Sequence, residues 1–241
     1  MRLDKFLVDC GVGSRTEVKQ LLKQKKIAVN GKKETAGKLQ IDPAKDQVTF
    51  MGENLVHETF VYYLLHKPAG VISATEDDHQ TVLDLLDETA RQKEVFPVGR
   101  LDIDTHGLLL LTNNGKLAHA MLSPKKHVSK VYRAQVAGIM DEADVARFEA
   151  GIALKDFTTL PARLQILEVN EANASSYVEI EIAEGKFHQV KRMVAACGKE
   201  VVDLERISMG PLTLDPSLKL GEWRRLQPSE LKSLEVFGVP L

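Results

Sequence analysis

Leu3, Phe6, Leu7 and Cys10 fall at i, i+3, i+4 and i+7, the apolar stripe of a short helix, and Gly11 follows where a C-terminal cap belongs. Ser14-x-x-Glu17 then forms the capping-box pattern that opens a second helix, with Val18, Leu21 and Leu22 as its buried stripe. Ile27-Ala28-Val29 reads as a strand, and Asn30-Gly31 is a two-residue hairpin signal with Lys32-Lys33 on the return side. Residues 39–50 contain a further short strand, and the polar stretch 51–59 places a domain boundary near residue 58.

Beyond that boundary the period changes. An apolar, aromatic run at 60–65 predicts a buried strand ended by a turn at 66–70, with a strand resuming at 71–73. A short helix is expected at 81–86 with Val82, Leu85 and Leu86 inward, followed by a buried strand at 107–112 closed by Asn113-Asn114-Gly115. Further strands are expected at 131–136, 164–169, 177–183 and 201–207, and helices at 141–150, 188–197 and 229–237. Many of these strands follow one another without a helix between them, so the sheet is expected to be mixed and largely antiparallel, flanked by helices. The class is α+β, with a small domain at 1–58 and a larger one at 59–241. No repeat of 20–50 residues and no low-complexity segment interrupts it.

Composition sharpens this division. The 241 residues carry a formal net charge of −2, a total that by itself argues against a polyanionic partner. Residues 1–50, however, hold 11 Lys+Arg against 6 Asp+Glu, leaving 21 against 28 for the remainder. A basic module precedes an acidic body. On the second helix Arg15, Lys19, Lys23 and Lys26 recur within roughly a quarter of the circumference, and the basic hairpin at Lys32 follows at once. Like charges so spaced cost helix stability unless an anion offsets them, which favours a phosphate-binding surface over a merely solvated face. The N-terminus has no signal-peptide pattern and no run approaches a membrane span, so the expected location is the cytoplasm. Cys10 and Cys197 lie far apart, outside any CxxC pattern, which argues against a disulfide framework or a zinc ribbon. Neither GxxxxGK[ST] nor GxGxxG occurs, and no histidines pair at metal-binding spacing, so neither a nucleotide cofactor nor a metal is expected.

Three clusters carry the candidate chemistry. The first, Val98 to Gly107, packs Arg100, Asp102 and Asp104 into a loop ahead of a four-leucine strand. A carboxylate there borders low-dielectric core and needs a cation, for which Arg100 is available. Alone this admits a charged turn with a local ion pair, and, more weakly, a glycosidase-like acid/base pair of Asp102 and Asp104. The second, Ser123 to Arg133, is a basic loop with Lys125, Lys126 and Lys130 entering a strand that bears Tyr132. In the third, a turn at Gly185 feeds a helix with Val190, Met193, Val194 and Cys197 inward and His188, Lys191 and Arg192 on another face. Cations at a helix start oppose the helix dipole, so they are better explained by a partner than by helix stability.

Two short helices followed by the Val-Asn-Gly hairpin, with Arg2-Leu3-Asp4-Lys5 and Ser14-Arg15, resemble the S4 RNA-binding domain over residues 1 to about 55. Behind it, Gly99-Arg100-Leu101-Asp102, Thr105-x-Gly107-Leu108-Leu109, Lys130-x-Tyr132 and Gly185-x-x-His188-Gln189-Val190-Lys191-Arg192-Met193, together with His66-Lys67-Pro68-x-Gly70, resemble the RsuA-type pseudouridine synthases. The resemblance implies isomerisation of a uridine in ribosomal RNA without cofactor or metal; nothing in the sequence requires an oligomer, and a monomer is the default expectation. It places the catalytic aspartate on Asp102, the active-site tyrosine on Tyr132 and the motif's basic residue on Lys191, which keeps Asp102 ionised. It also implies RNA contacts from Arg100, His188, Arg192, Lys125, Lys126 and Lys130, and, in the N-terminal module, from Arg2, Arg15, Lys19, Lys23, Lys26 and Lys32. The Ser-Pro-Lys-Lys-His and Phe-His-Gln-Val-Lys-Arg-Met stretches look more like those of small-subunit (16S) enzymes. A large-subunit (23S) enzyme and a non-catalytic ribosome-assembly factor are the alternatives. The charge pattern predicts that RNA binding by residues 1–58 weakens roughly tenfold to a hundredfold between about 50 and 200 mM salt, as release of counterions from a few phosphate contacts requires. A flat response in a filter-binding titration contradicts it.

Overall fold

The computed structural model describes residues 1–241 and divides into two compact units, each built around its own core. The first comprises Met1–Val61 together with Glu88–Glu94. Its first helix, α1 (Leu3–Asp9), ends at Cys10, and Gly11 takes φ +74°, the left-handed conformation that glycine enters without penalty. Helix α2 (Arg15–Lys23) opens on the expected capping box: the Glu17 N–H donates to Ser14 Oγ, and the Ser14 N–H donates to the Glu17 carboxylate. Strands β1 (Ile27–Val29) and β2 (Lys32–Lys33) pair antiparallel, Val29 opposite Lys32, with Asn30 at φ +50° and Gly31 at φ +77° as a type I′ turn demands. Strands β3 (Val48–Phe50) and β4 (Glu53–Asn54) complete a sheet of order β2-β1-β3-β4. Leu3, Phe6, Leu7, Val18, Leu22, Ile27, Ile41 and Val48 form the core between helices and sheet. Helix α2 stops at Lys23 and Lys25 turns to φ +56°, so Lys26 falls off the helical ridge. A short α3 (Glu88–Gln92), not foreseen from the pattern, belongs to this unit, and Lys93 Nζ beside it donates to the Glu58 carbonyl.

The second unit, Tyr62–Asp87 with Val95–Leu241, is organised by one large sheet. Its elements in chain order are β5 (Tyr62–Lys67), β6 (Phe96–Pro97), β7 (His106–Thr112), α4 (Gly115–Leu122), β8 (Lys130–Ala137), α5 (Glu142–Ala150), β9 (Arg163–Asn170), β10 (Ser175–Ile182), α6 (Gln189–Ala196), β11 (Glu200–Met209), β12 (Leu212–Thr213), β13 (Trp223–Arg225) and α7 (Pro228–Leu234). The strand order is β13-β5-β7-β11-β8-β10-β9, with β12 on β11 and β6 on β7. Every pairing is antiparallel except β7 with β11. On β8 and β10 alternate residues are buried, so Tyr132, Ala134, Val136, Val178, Ile180 and Ile182 meet Val190, Met193 and Val194 of α6 in the main core.

Several local expectations shift. The first strand of the body runs on through His66 and Lys67, because both pair with β7 (His66 with Leu108, Lys67 with Gly107), and the turn begins only at Pro68. Residues 71–73 make a single bridge, Ile72 to Thr81, in place of a strand. The helix expected at 81–86 is a 3₁₀ turn, Val82–Leu85, that buries Val82 and Leu83 instead of Leu85 and Leu86. Asn113-Asn114-Gly115 is a helix start: Asn114 Oδ1 accepts the Leu117 N–H and caps α4.

The parallel contact of β7 with β11 depends on one glycine. Gly107 sits opposite Arg206 at φ +108°, and a Cβ there would lie 2.3 Å from the Arg206 carbonyl oxygen and 2.6 Å from its nitrogen. Both obstacles are backbone, so neither can move without separating the strands. Gly107→Ala is expected to lower the stability of the body by at least about 2 kcal/mol, the combined cost of backbone strain and overpacking. A shift of the urea midpoint checks this, and an unchanged midpoint refutes it.

Candidate active site

The loop between β6 and β7 carries Asp102 and is held from below at each turn. Leu101, buried beside Tyr132 in the main core, exchanges two hydrogen bonds with Ser73: its N–H donates to Ser73 Oγ at 3.1 Å and the Ser73 hydroxyl donates to its carbonyl at 2.9 Å. The Gly70 N–H donates to the Ile103 carbonyl at 2.6 Å. Lys67, wholly buried at the end of β5, donates from its Nζ to the carbonyls of Pro68 (3.0 Å), Asp102 (3.1 Å) and Thr105 (2.9 Å). A buried ammonium is tolerated because these three acceptors and the nearby Asp104 and Asp102 carboxylates offset its lost hydration, but burial dominates and pushes its pKa down to about 8.

Above this loop lies a pocket of about 130 Å³. Gly99, Arg100, Asp102 and Thr105 form one side, Lys130 and Tyr132 of β8 another, Gly185, His188 and Lys191 a third, and Arg206 of β11 the base. All three sequence clusters therefore converge on one cavity, as does Arg206, which belongs to none of them. The Asp102 carboxylate stands between His188 Nε2 at 3.5 Å and Lys191 Nζ at 3.4 Å. Lys191 makes its closer contact with Asp104 Oδ1 at 2.6 Å, so one ammonium serves both carboxylates. This hydrogen bond holds the Asp104 carboxyl below the usual carboxylate range. Arg100, available as a partner for Asp102, makes no ion pair and stands exposed at the rim.

Gln189 shapes the third side. Its buried amide accepts the Lys186 N–H at 3.0 Å and donates to Glu184 at 2.8 Å, bracing the Gly185 turn, while His188 adopts φ +50° and so turns toward Asp102 as α6 begins. Phe187 stacks on the His188 ring at 3.8 Å. Arg192 departs from the expected face: it pairs with Asp156 and lies over the Phe157 ring, 5.2 Å from its centroid, instead of joining the pocket. Lys125 and Lys126 are exposed on a 3₁₀ turn, but Lys130 is buried in the pocket wall. Its Nζ donates to the Val128 carbonyl at 2.8 Å, and burial, reinforced by the Arg206 charge, pushes its pKa down to about 8. The even spacing along β8 that places Tyr132 inward places Lys130 inward too, so it is not part of an exposed clamp.

Arg206 is singled out by no sequence motif, and Thr105, though part of the Thr105-x-Gly107 motif, has no role assigned by it. Arg206 is 2% exposed and donates from Nε to the Leu108 carbonyl at 2.9 Å, leaving its buried Nη2 without a protein partner; Thr105 Oγ1 is likewise buried and unpaired. Buried polar atoms are rarely left so, and both of these belong to the pocket lining. The only signal available was an arginine inside an otherwise strand-like run.

In the N-terminal unit Arg2, Arg15, Lys19 and Lys23 line one cleft of about 650 Å³ with Lys5 and Lys38, whereas Lys26 and Lys32 lie outside it. Arg2 is engaged by Asp4, with Nε to Oδ1 at 3.0 Å, and keeps that carboxyl below the usual carboxylate range.

Comparison with known proteins bears on both units. Residues 61–196 match the RNA pseudouridylate synthase family and residues 1–48 match the S4 domain. The chain belongs to the RNA pseudouridylate synthase family, in its form with an N-terminal S4 domain. It is 45% identical over 97% of its length to an uncharacterized RNA pseudouridine synthase of Bacillus subtilis, covering 98% of that protein. It is 39% identical to a ribosomal small subunit pseudouridine synthase A of Vibrio cholerae (97% of this chain, 99% of that one) and 38% to a ribosomal large subunit pseudouridine synthase B of Bacillus subtilis (98% and 96%). A crystal structure of a pseudouridylate synthase superposes with a TM-score of 0.67 at 36% identity, covering 97% of this chain and 99% of the other. No helix of the chain is long and apolar enough to cross a membrane.

Lys67 and Lys130 both hold native pKa values near 8, below the ordinary lysine value of 10.5. The native body therefore binds fewer protons than the unfolded chain between about pH 8 and 10.5, and these two groups make its stability rise with pH across that window. NMR of the lysine ε-methylenes should show two resonances titrating near pH 8, and their loss in Lys67→Met and Lys130→Met assigns them.

Proposed function

We propose that this enzyme converts a specific uridine of ribosomal RNA, in the small subunit (16S), to pseudouridine, with Asp102 as the nucleophile. The observation that carries the reading is the Asp102 carboxylate, which lines a small pocket together with Tyr132 and stands between the His188 ring and the Lys191 ammonium. The reaction must break the N1–C1′ bond, turn the uracil while it is held, and join C5 to C1′. Asp102 bonds to C1′ as the N1–C1′ electron pair returns to the uracil. C5 then displaces the carboxylate, and its proton is lost as N1 gains one, so the product is an isomer and no cofactor is consumed. Lys191 and His188 hold the carboxylate in place, and Tyr132 stacks on the uracil and assists removal of the C5 proton. Arg206 Nη2 and Thr105 Oγ1 supply unpaired polar atoms for a bound base.

The target atoms are inaccessible in a stacked helix, so the nucleotide is flipped into the pocket. Arg100 at the rim and the exposed Lys125 and Lys126 are suited to the displaced backbone, while the cleft of Arg2, Arg15, Lys19 and Lys23 binds a neighbouring RNA segment by its phosphates. The enzyme acts as a cytoplasmic monomer. The 16S assignment is supported by the small-subunit character of residues 123–127 and 187–193, and by relatives bearing that name; the large-subunit relative stands at nearly the same identity.

Asp102→Asn is expected to abolish pseudouridine formation, a loss of at least about 10³-fold, while RNA affinity stays within about threefold. Mapping carbodiimide-reactive uridines on 16S and 23S RNA tests both parts. Turnover by Asp102→Asn overturns the nucleophile, a new site on 23S alone overturns the subunit, and no new site on either favours a binding factor.

A further inference from the structure

The strands that build the pocket carry a second cluster on their opposite face. Lys67, Thr105 and Arg206 point into or beneath the pocket. Their immediate neighbours His66 of β5, His106 of β7 and Glu205 of β11 therefore emerge on the other side of the sheet, because successive strand residues alternate faces. Glu205 sits directly opposite His106, and His66 is diagonal to it across β5 and β7. One atom of each residue, His66 Nε2, His106 Nδ1 and Glu205 Oε1, lies within 4.8 Å of the other two. The Glu205 oxygen is 3.4 Å from His66 Nε2 and 3.8 Å from His106 Nδ1.

The hydrogen bonds around the cluster determine what these atoms are. His66 Nδ1 lies 2.8 Å from the Leu218 carbonyl, an acceptor only, so Nδ1 carries the hydrogen and Nε2 presents its lone pair. His106 Nε2 lies 3.1 Å from both oxygens of Asp203, so it carries the hydrogen and Nδ1 presents its lone pair. Both lone-pair nitrogens are buried and neither has a hydrogen-bond partner. Arg133, opposite Glu205 on β8, directs its guanidinium to Glu179 instead. With both rings neutral, the two imidazoles and the carboxylate face one another as three acceptors with no donor between them. This arrangement is repulsive unless a cation occupies the centre. A single proton would satisfy one edge of the triangle; a divalent ion satisfies all three.

We propose that His66, His106 and Glu205 bind a divalent transition-metal ion, zinc in the first instance, on the face of the sheet opposite the pocket. Two histidines and one glutamate are a zinc ligand set, and four-coordinate bonds of about 2.0–2.2 Å put neighbouring donor atoms about 3.3–3.6 Å apart, close to the separations from Glu205. The carbonyl and carboxylate that orient the two rings are the outer partners such ligands require. His66 and Glu205 also line an open cleft of about 540 Å³, which gives an ion a path in and leaves the fourth position to water. The ion clamps β5, β7 and β11 together directly behind Lys67, Thr105 and Arg206. Sequence spacing gave no hint of it, since the three donors are separated by 40 and 99 residues.

The full-length protein, stripped with a chelator and exchanged into chelator-free buffer, is titrated with zinc chloride against a chromophoric competitor. One equivalent is expected to bind, at least tenfold more weakly in His66→Gln and His106→Gln. Asp203→Asn, an exposed outer partner whose loss leaves the fold intact, should weaken binding about tenfold. Zinc should raise the thermal midpoint of the native chain and leave that of the double histidine variant unmoved. No uptake by the native chain, or equal affinity in native and histidine variants, overturns the proposal, as does an Asp203→Asn affinity equal to native. None of these readouts depends on turnover, so failure here leaves the catalytic reading untouched.

Discussion

The buried ammonium of Lys67 holds three carbonyl oxygens that belong to two separate segments, the turn after β5 and the loop before β7. One of the three carbonyls is that of Asp102 itself, and the Gly70 N–H to Ile103 carbonyl bond joins the same two segments beside it. The interaction runs both ways. The ammonium fixes the loop, and the Asp102 and Asp104 carboxylates in turn favour its charged form against a burial cost that lowers its pKa. A lysine here acts as a rigid three-way connector, a role that a shorter or uncharged side chain could not fill without leaving buried carbonyls unpaired.

Around this connector the pocket gathers more cations than carboxylates. Lys67, Lys130 and Arg206 are all buried and near enough for the Arg206 charge to depress both lysines, while His188 and Lys191 face Asp102 and Asp104. Such a concentration of positive charge in low dielectric destabilises the free protein and is relieved by an anionic ligand. An acidic body can therefore bind a polyanion: its net charge is spread over the surface, and the pocket's is concentrated at one point.

The two faces of one sheet are also coupled by the simplest property of a strand. Lys67 beneath the pocket and Arg206 within it each have their neighbour on the far side, so the His66, His106 and Glu205 cluster stands behind the site by alternation alone. The close approach of β7 to β11, which only a glycine at 107 permits, brings His106 level with Glu205 and Arg206 level with Gly107. One backbone requirement thus serves both faces.

Much of the fold was legible in the chain. The capping box at Ser14, the Asn30-Gly31 turn and the alternation along β8 and β10 are local rules, satisfied by residues a few positions apart, and each appears as expected. The convergence of Asp102, Tyr132 and Lys191 followed from a pattern of motifs, not from any one of them. What local pattern could not supply was side-chain direction and long-range pairing. It placed Lys130 and Arg192 among exposed RNA contacts, whereas one is buried in the pocket wall and the other is drawn to Asp156. It ended the first body strand too soon because His66 and Lys67 look like turn residues until β7, and for His66 also Gly221 and Glu222, supply partners for their backbone. The sequence by itself determined the class and the division into a basic module and an acidic body, since these rest on periodicity and charge, whereas the candidate site followed from the resemblance of its motifs to a family. Only the tertiary structure decided which cations face Asp102, which are buried to hold its loop, and that two distant histidines meet one glutamate. Those outcomes depend on strands 40 to 100 residues apart being laid side by side, and no short-range rule contains that distance.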